Sequence, residues 1–316
     1  MNQEDSLYSA KLNSLLSQGE KSEFFGDLSV EVWAMCESLG FKERDVAIAT
    51  LEKLWLPTAL DLATARQKLD RTLIQGILGG QGTGKSTLCI ILKLILNFLG
   101  LTVANLSIDD LYLTYDQRQE LKQKDPRLIW RGPPGTHDVN LGIEVIELCL
   151  QQDRDREILL PHFDKSAYNG SGDRANPETI AKPDILLFEG WFVGVQPIDQ
   201  SFFDNPLQPI VTTEDIQFAK DNNQRLQAYL PLWNKLDRLI VLSPEDYRLS
   251  RQWRKEAEHK MIASGKTGMS DREIDRFVKY FWQSLHPELF IKPLLKTADL
   301  VVEIKSDRTL ARIYRN

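Results

Sequence analysis

Residues Gly79 to Ser86, GGQGTGKS, fit the pattern G-x-x-x-x-G-K-[ST]. The chemistry such residues suit is the holding of a polyphosphate. Gly79, Gly80, Gly82 and Gly84, with Gln81 and Thr83 between them, let backbone N–H groups turn inward around phosphate oxygens. They do so at the positive end of the helix that follows. Lys85 is then placed to reach the β- and γ-phosphates and the Ser86 hydroxyl to ligate Mg2+, with Thr87 next in the helix. A short apolar run precedes the pattern and an apolar helical stretch follows it, which is the strand–loop–helix context this reading needs.

Acids follow at the ends of later apolar runs. SIDDLYLTY puts Asp109 and Asp110 at the carboxyl end of Val103–Ile108. A carboxylate there lies beside the γ-phosphate and can accept the proton of an attacking alcohol. Asp109 is read as that base, with Asp110 capping the next element. DILLFEGW ends on Glu189, an acid suited to holding Mg2+-bound water or orienting the nucleophile. Asp184, at the other end of that run, is read as structural. NKLD, Asn234 to Asp237, would read guanine if it followed a strand. It precedes the apolar run RLIVLS instead, so ATP is the expected nucleotide. Arg251 and Arg254, three apart in YRLSRQWRKEAEHKM, share a helix face and suit a lid closing over phosphates. Ser243-Pro244 reads as the start of that helix.

Two dense polar stretches lie between Asp109 and Asp184. WRGPPGTHD sets Arg131, His137 and Asp138 around prolines and glycines that fix a loop shape, so the polar groups are pre-aimed. A guanidinium held in this way can take a small carboxylate bidentately. PHFDKSAYNGSGDR adds Asp164, Lys165 and Arg174 in a turn-rich setting. His259 and His286 have no companions at metal-ligand spacing and read as structural. Cys36, Cys89 and Cys149 are too far apart for a disulfide framework.

These groups need a frame. Apolar runs at Leu73–Leu78, Val103–Ile108, Ile185–Phe188, Leu239–Leu242 and Leu300–Ile304 alternate with helical stretches, which predicts a parallel sheet covered on both faces. Gly100 fits the end of the first long helix, and Ser270–Glu273 is a capping box opening another. Residues 1–70 read as a helical N-terminal extension and 71–316 as the main domain. An insertion spans about 110–183 and the lid helix about 244–264. With 316 residues, 42% hydrophobic, 27% charged and a net charge of −6, the chain reads as a globular α/β protein with no grip on nucleic acid. Its longest apolar run, Leu88–Leu99, carries Lys93 and Asn97 and is too short to span a bilayer. The opening MNQEDSLYSAKLNSLL has no targeting pattern, so a cytoplasmic protein without membrane contacts is expected.

The order of LGGQGTGKST, SIDDLYLTY, RGPPGTHD, PHFDKS and GDR resembles the plant- and cyanobacterial-type D-glycerate 3-kinases, of the phosphoribulokinase, uridine kinase and pantothenate kinase-like group. The resemblance covers about Leu73 to Ile304. It implies a P-loop NTPase fold with a five-stranded parallel sheet in the order 2-3-1-4-5. It also implies ATP and Mg2+ as cosubstrates and 3-phosphoglycerate as the product, for example in photorespiratory salvage. Asp109 matches the position of the base, and Arg251 and Arg254 the lid arginines; in the mechanism read from the residues, Ser86 and Glu189 fix the metal. The acceptor set is Asp109, Tyr112, Arg131, His137, Asp138, Asp164, Lys165 and Arg174. Asp110 stands where the wider group has a small residue, which leaves the choice of base between the two acids open. The alternatives are a kinase for another small acceptor (a nucleoside, pantothenate or a sugar phosphate) and a regulatory P-loop ATPase. Oligomeric state is not legible in the sequence.

Overall fold

The computed structural model describes residues 18–153, 156–265 and 268–316. The whole opening stretch MNQEDSLYSAKLNSLL, with its expected lack of a targeting pattern, lies outside them. The chain forms two compact units.

The first unit contains the described residues up to Leu73, with Ser86–Asn105 and Pro183–Ile185. Its helices are α1 (Gln18–Ser38), α2 (Arg44–Thr50), α3 (Leu56–Gln67) and α4 (Lys85–Phe98). Leu28 and Val32, four apart, are buried on one face of α1, and Phe24 meets Phe98 edge-on at 5.1 Å. Gly100, at φ +81°, ends α4 in the left-handed region that favours glycine. Asp184 is structural, as read: Arg66 Nη2 donates to it at 3.0 Å and the Thr102 hydroxyl at 2.9 Å.

The second unit holds residues 74–85, 106–182 and 186–316. The main sheet contains β1 (Leu73–Gly79), β2 (Val103–Ser107), β5 (Ile185–Gly190), β6 (Arg238–Pro244), β7 (Leu300–Ile304) and β8 (Leu310–Tyr314). Its order is β2-β5-β1-β6-β7-β8. The five expected strands therefore run 2-3-1-4-5, and the sheet is six-stranded because β8 adds to the edge, antiparallel to β7. LARIY lacks a continuous apolar run because an edge strand is not buried on both faces. β1 and β5, buried along their whole length, carry the runs that were readable.

The insertion contains α5 (Tyr115–Lys124), α6 (Val139–Leu150) and an antiparallel hairpin, β3 (Ile158–Asp164) with β4 (Asp173–Ile180). The sequence shows this hairpin only as turn-rich loop. Two prolines hide it. Pro161 sits where the register shifts between Leu160 and His162, a place that needs no ladder N–H, and Pro177 lies in the largely exposed β4. Beyond β5 come α7 (Thr213–Arg225) and the short α8 (Leu230–Trp233). Asn234 follows α8, and Asp237 accepts the Ile74 N–H at 2.9 Å, so NKLD is a structural turn. The arginine-bearing helix α9 spans Leu249–Ala263, and Ser243-Pro244 belong to β6 rather than opening it. The Ser270–Glu273 capping box is present and opens α10 (Asp271–Ser284).

Candidate active site

β1 delivers its last residue, Gly79, into the phosphate loop, and α4 begins at Lys85. Thr83 closes the loop by donating its hydroxyl to the Gly80 carbonyl at 2.8 Å. Gly82 is required twice over: its φ is +79°, and a Cβ there would come within 2.6 Å of Trp253 Cβ. A loop pinned in this way keeps its N–H groups turned inward at a helix start, which suits anion binding. Lys85 Nζ stands 3.9 Å from Glu189 Oε2, and Glu189 is buried at the end of β5.

Asp109 and Asp110 sit on a short 3-10 turn after β2, and their carboxylates do different work. Asp110 is tied to backbone, accepting from Ser107 N–H at 3.1 Å and Phe163 N–H at 3.2 Å. Burial raises its proton affinity. Asp109 accepts from the Tyr112 hydroxyl at 2.9 Å and pairs with Lys165 Nζ at 2.6 Å. Burial works against its charge. The Lys165 ammonium, the hydrogen bond from it and the charge of Lys85 more than offset this, so Asp109 is held below its ordinary range and stays ionised.

The acceptor-side loop is braced from several directions. Tyr112 and His137 form an isolated antiparallel bridge and their rings stack at 4.5 Å. Gly132, at φ +132°, passes so close to Phe281 that a Cβ would lie 2.4 Å from its ring. Asp138 caps α6 and takes Arg174 Nη2 at 2.7 Å, while Arg174 Nε reaches the Tyr112 carbonyl at 3.1 Å. Asp164 accepts from Ser166 N–H at 2.8 Å and shapes the hairpin turn. Arg131 donates to the Gly170 and Ser171 carbonyls at 2.8 and 2.9 Å. The structure thus brings Asp109, Tyr112, Lys165 and His137 together. The hydrogen bonds of Asp138, Asp164 and Arg174 go to the surrounding scaffold.

Trp253 anchors α9: it is buried, lies against Gly82 and donates Nε1–H to the Ser306 carbonyl at 3.1 Å. Arg251 lies over the Trp282 ring at 5.0 Å and 3.6 Å from Asp275, both on α10. Arg254 pairs with Glu258 at 2.8 Å and lies over Phe277 at 5.5 Å.

Sequence reasoning missed three groups. Tyr229 bonds His137, and Trp191 Nε1 donates to the Gly132 carbonyl at 3.1 Å. An apolar cavity of about 380 Å3 borders Gly80 and Gln81 and is lined by Tyr247, Phe281 and Trp282. The position of Trp191, just after the strand-end glycine, was the one available signal. Tyr229 and the cavity walls follow no local pattern.

No protein-family model matches the chain. It is 32% identical over 257 residues to the chloroplastic D-glycerate 3-kinase of Arabidopsis thaliana, a match covering 77% of this chain and 54% of that protein. It is 33% identical over 222 residues to an uncharacterized kinase, mug58, of Schizosaccharomyces pombe, covering 67% of this chain and 79% of the relative. Among solved structures, the D-glycerate 3-kinase of Cryptococcus neoformans var. grubii aligns with a TM-score of 0.70 and 26% identity, covering 83% of this chain and 99% of that one. With the phosphate loop, the strand order and the acid beside Lys85 already in place, these likenesses close the question of kinship: the chain belongs to the D-glycerate 3-kinase-like family of P-loop kinases.

Proposed function

We propose that the chain transfers the γ-phosphoryl group of MgATP to the 3-hydroxyl of D-glycerate, giving 3-phosphoglycerate and ADP. One observation carries this reading: an ionised Asp109 acted on by Lys85 of the phosphate loop and paired with Lys165 of the acceptor-side hairpin. The printed function of the Arabidopsis and Cryptococcus relatives names the acceptor.

The loop from Gly79 to Thr87 cradles the phosphates, and Lys85 neutralises charge on the group in transfer. Ser86 and Glu189 would hold Mg2+, which supplies further charge neutralisation there and needs few protein ligands. The apolar cavity beside Gly80 suits the nucleoside base, its aromatic walls offering stacking faces. Asp109 accepts a hydrogen bond from the acceptor hydroxyl and then its proton, as the oxygen bonds to phosphorus and the bond to the departing ADP breaks. Lys165, 60% exposed at its side chain, is free to exchange Asp109 for the acceptor carboxylate. That exchange would leave the half-buried Asp109 a stronger base at the moment it is needed. Arg131 and His137 complete the grip. A cytoplasmic setting and a role in photorespiratory glycerate salvage belong to the same proposal. No helix among the described residues is long and apolar enough to cross a membrane.

The acceptor panel tests this. D-Glycerate should drive ADP release from MgATP far faster than L-glycerate, glycerol, uridine, pantothenate or ribulose 5-phosphate. Glycerol keeps the hydroxyls and lacks the carboxylate, so Lys165 stays on Asp109; a loss of at least about 2 kcal/mol, roughly thirtyfold in kcat/KM, is expected. Equal turnover of glycerol removes the carboxylate grip. Faster turnover of another panel member replaces D-glycerate as the acceptor, and ADP release that needs no acceptor makes the chain a regulatory ATPase.

Arg251 and Arg254 are proposed as lid arginines. Their partners, Asp275 and Glu258, hold them on α9 and α10, and swinging onto the phosphates exchanges these for charge that develops during transfer. Alanine at either is expected to lower kcat more than it weakens ATP binding. An unchanged kcat in both variants reduces α9 to a structural helix anchored by Trp253.

A further inference from the structure

His137 is buried at 5% exposure, with Nδ1 2.8 Å from the Tyr229 hydroxyl. Its other ring nitrogen, Nε2, is buried and has no hydrogen-bond partner among the described residues. A buried ring nitrogen left in this state costs free energy unless something else meets it.

Which nitrogen carries the proton follows from Tyr229. Its phenol oxygen accepts the Gly135 N–H at 2.9 Å, and its own proton, buried with the ring, has Nδ1 as its one acceptor among the described residues. Nδ1 is therefore the acceptor and Nε2 carries the hydrogen. The ring is held on every side: stacked on Tyr112, tilted against Phe192 at 5.5 Å and edge-on to Tyr229 at 5.8 Å. Around it the titratable groups are Tyr112, Tyr229 and Asp109. Burial lowers the imidazole pKa to about 3, which the Asp109 charge opposes without reversing. Since Nδ1 faces Tyr229, Nε2 points away from it. The stacked Tyr112, whose hydroxyl bonds Asp109, flanks the ring face.

We propose that His137 is an uncharged Nε2–H donor that reads an acceptor oxygen beside Asp109, and that Tyr229, which touches no substrate, is the positioning residue that sets its tautomer. A neutral donor discriminates by geometry rather than by charge. It adds direction to the site without competing with Lys165 for the carboxylate or lowering the basicity of Asp109. The inference rests on the kinase reading for its substrate, though the state of the ring does not.

The test has two arms. Long-range 1H–15N correlation spectra of the full chain labelled at histidine, with the His137 signals identified by their loss in His137→Phe, need no acceptor. They should show a neutral Nε2–H tautomer from pH 5 to pH 8, and in Tyr229→Phe a shift toward mixed tautomers. A Nδ1–H tautomer in the wild type, or protonation near the ordinary histidine value of about 6.5, overturns the assignment. The kinetic arm uses whichever panel acceptor the wild type turns over, so a failure of D-glycerate counts against the proposed function and not against His137. There His137→Phe should raise acceptor KM about 10- to 100-fold with ATP KM held within about twofold, and His137→Gln should restore part of the loss. Tyr229→Phe should raise acceptor KM by a smaller factor. Unchanged acceptor KM in His137→Phe sinks the donor role. If that variant does not fold, the His137 signals are identified by their loss in His137→Gln, and the wild-type and Tyr229→Phe spectra together with the acceptor KM of Tyr229→Phe decide.

Discussion

Lys85→Met abolishes phosphoryl transfer while leaving the circular dichroism spectrum unchanged: that is the expected result with the largest effect. Lys85 opens α4, its ion pair with Glu189 is long at 3.9 Å, and its side chain is partly exposed, so folding depends little on it. In the proposed mechanism transfer depends on it heavily, because its charge would meet oxygens whose charge is redistributed as the phosphoryl group moves. Removing one preorganised donor of this kind costs about 100- to 1,000-fold in rate, and a full positive charge is expected to cost more. The variant also withdraws one of the two cations that keep Asp109 ionised. Acceptor-dependent ADP release measures the loss. Wild-type turnover in Lys85→Met would remove the phosphate loop from the mechanism.

Asp109→Asn should lower kcat by about two to four decades with ATP binding retained. Asp110→Asn should cost less in kcat and show its effect in stability instead, by about 1 kcal/mol, because its carboxylate caps a turn and accepts the Phe163 N–H. The reverse ranking would make Asp110 the base. A pH profile adds a check with a definite sign. Asp109 has a depressed pKa in the folded chain, so its ion pair stabilises the fold above the unfolded value of about 3.9 and is lost as pH falls through the folded value. In Lys165→Met the main opponent of burial is gone. The acid limb of kcat/KM should then move to higher pH than in the wild type. A limb that does not move separates Lys165 from the base.

The glycine-rich loop, the five runs of the parallel sheet, the end of α4 at Gly100 and the capping box at Ser270 were legible from residue types and spacing, whereas the strand order came only from the family resemblance. Each depends on neighbours within a few positions: a glycine where φ must be positive, a run buried on both faces, a hydroxyl three residues from an acid. The lid-helix start was misread because Ser-Pro is a local signal that β6 overrides by pairing with β7 through Ser243 and Pro244. β8 stayed hidden because an edge strand carries no continuous apolar run, and the β3–β4 hairpin because β4 is largely exposed and Pro161 fills a bulge that only the partner strand defines.

By itself the sequence determined that a glycine-rich loop joins a strand to a helix and that acids stand at the ends of the strands beside it. Tertiary structure alone decided what each acid meets. Asp109 and Asp110 are adjacent and chemically alike, and they diverge because Lys165, 56 residues away, meets one while backbone N–H groups meet the other. Tyr229 reaches His137 across 92 residues, and Trp253 comes to rest on Gly82 through the packing of α9. Periodicity records which face of an element is buried. It does not record which distant side chain arrives there, and in this site that arrival sets which partner each polar group meets.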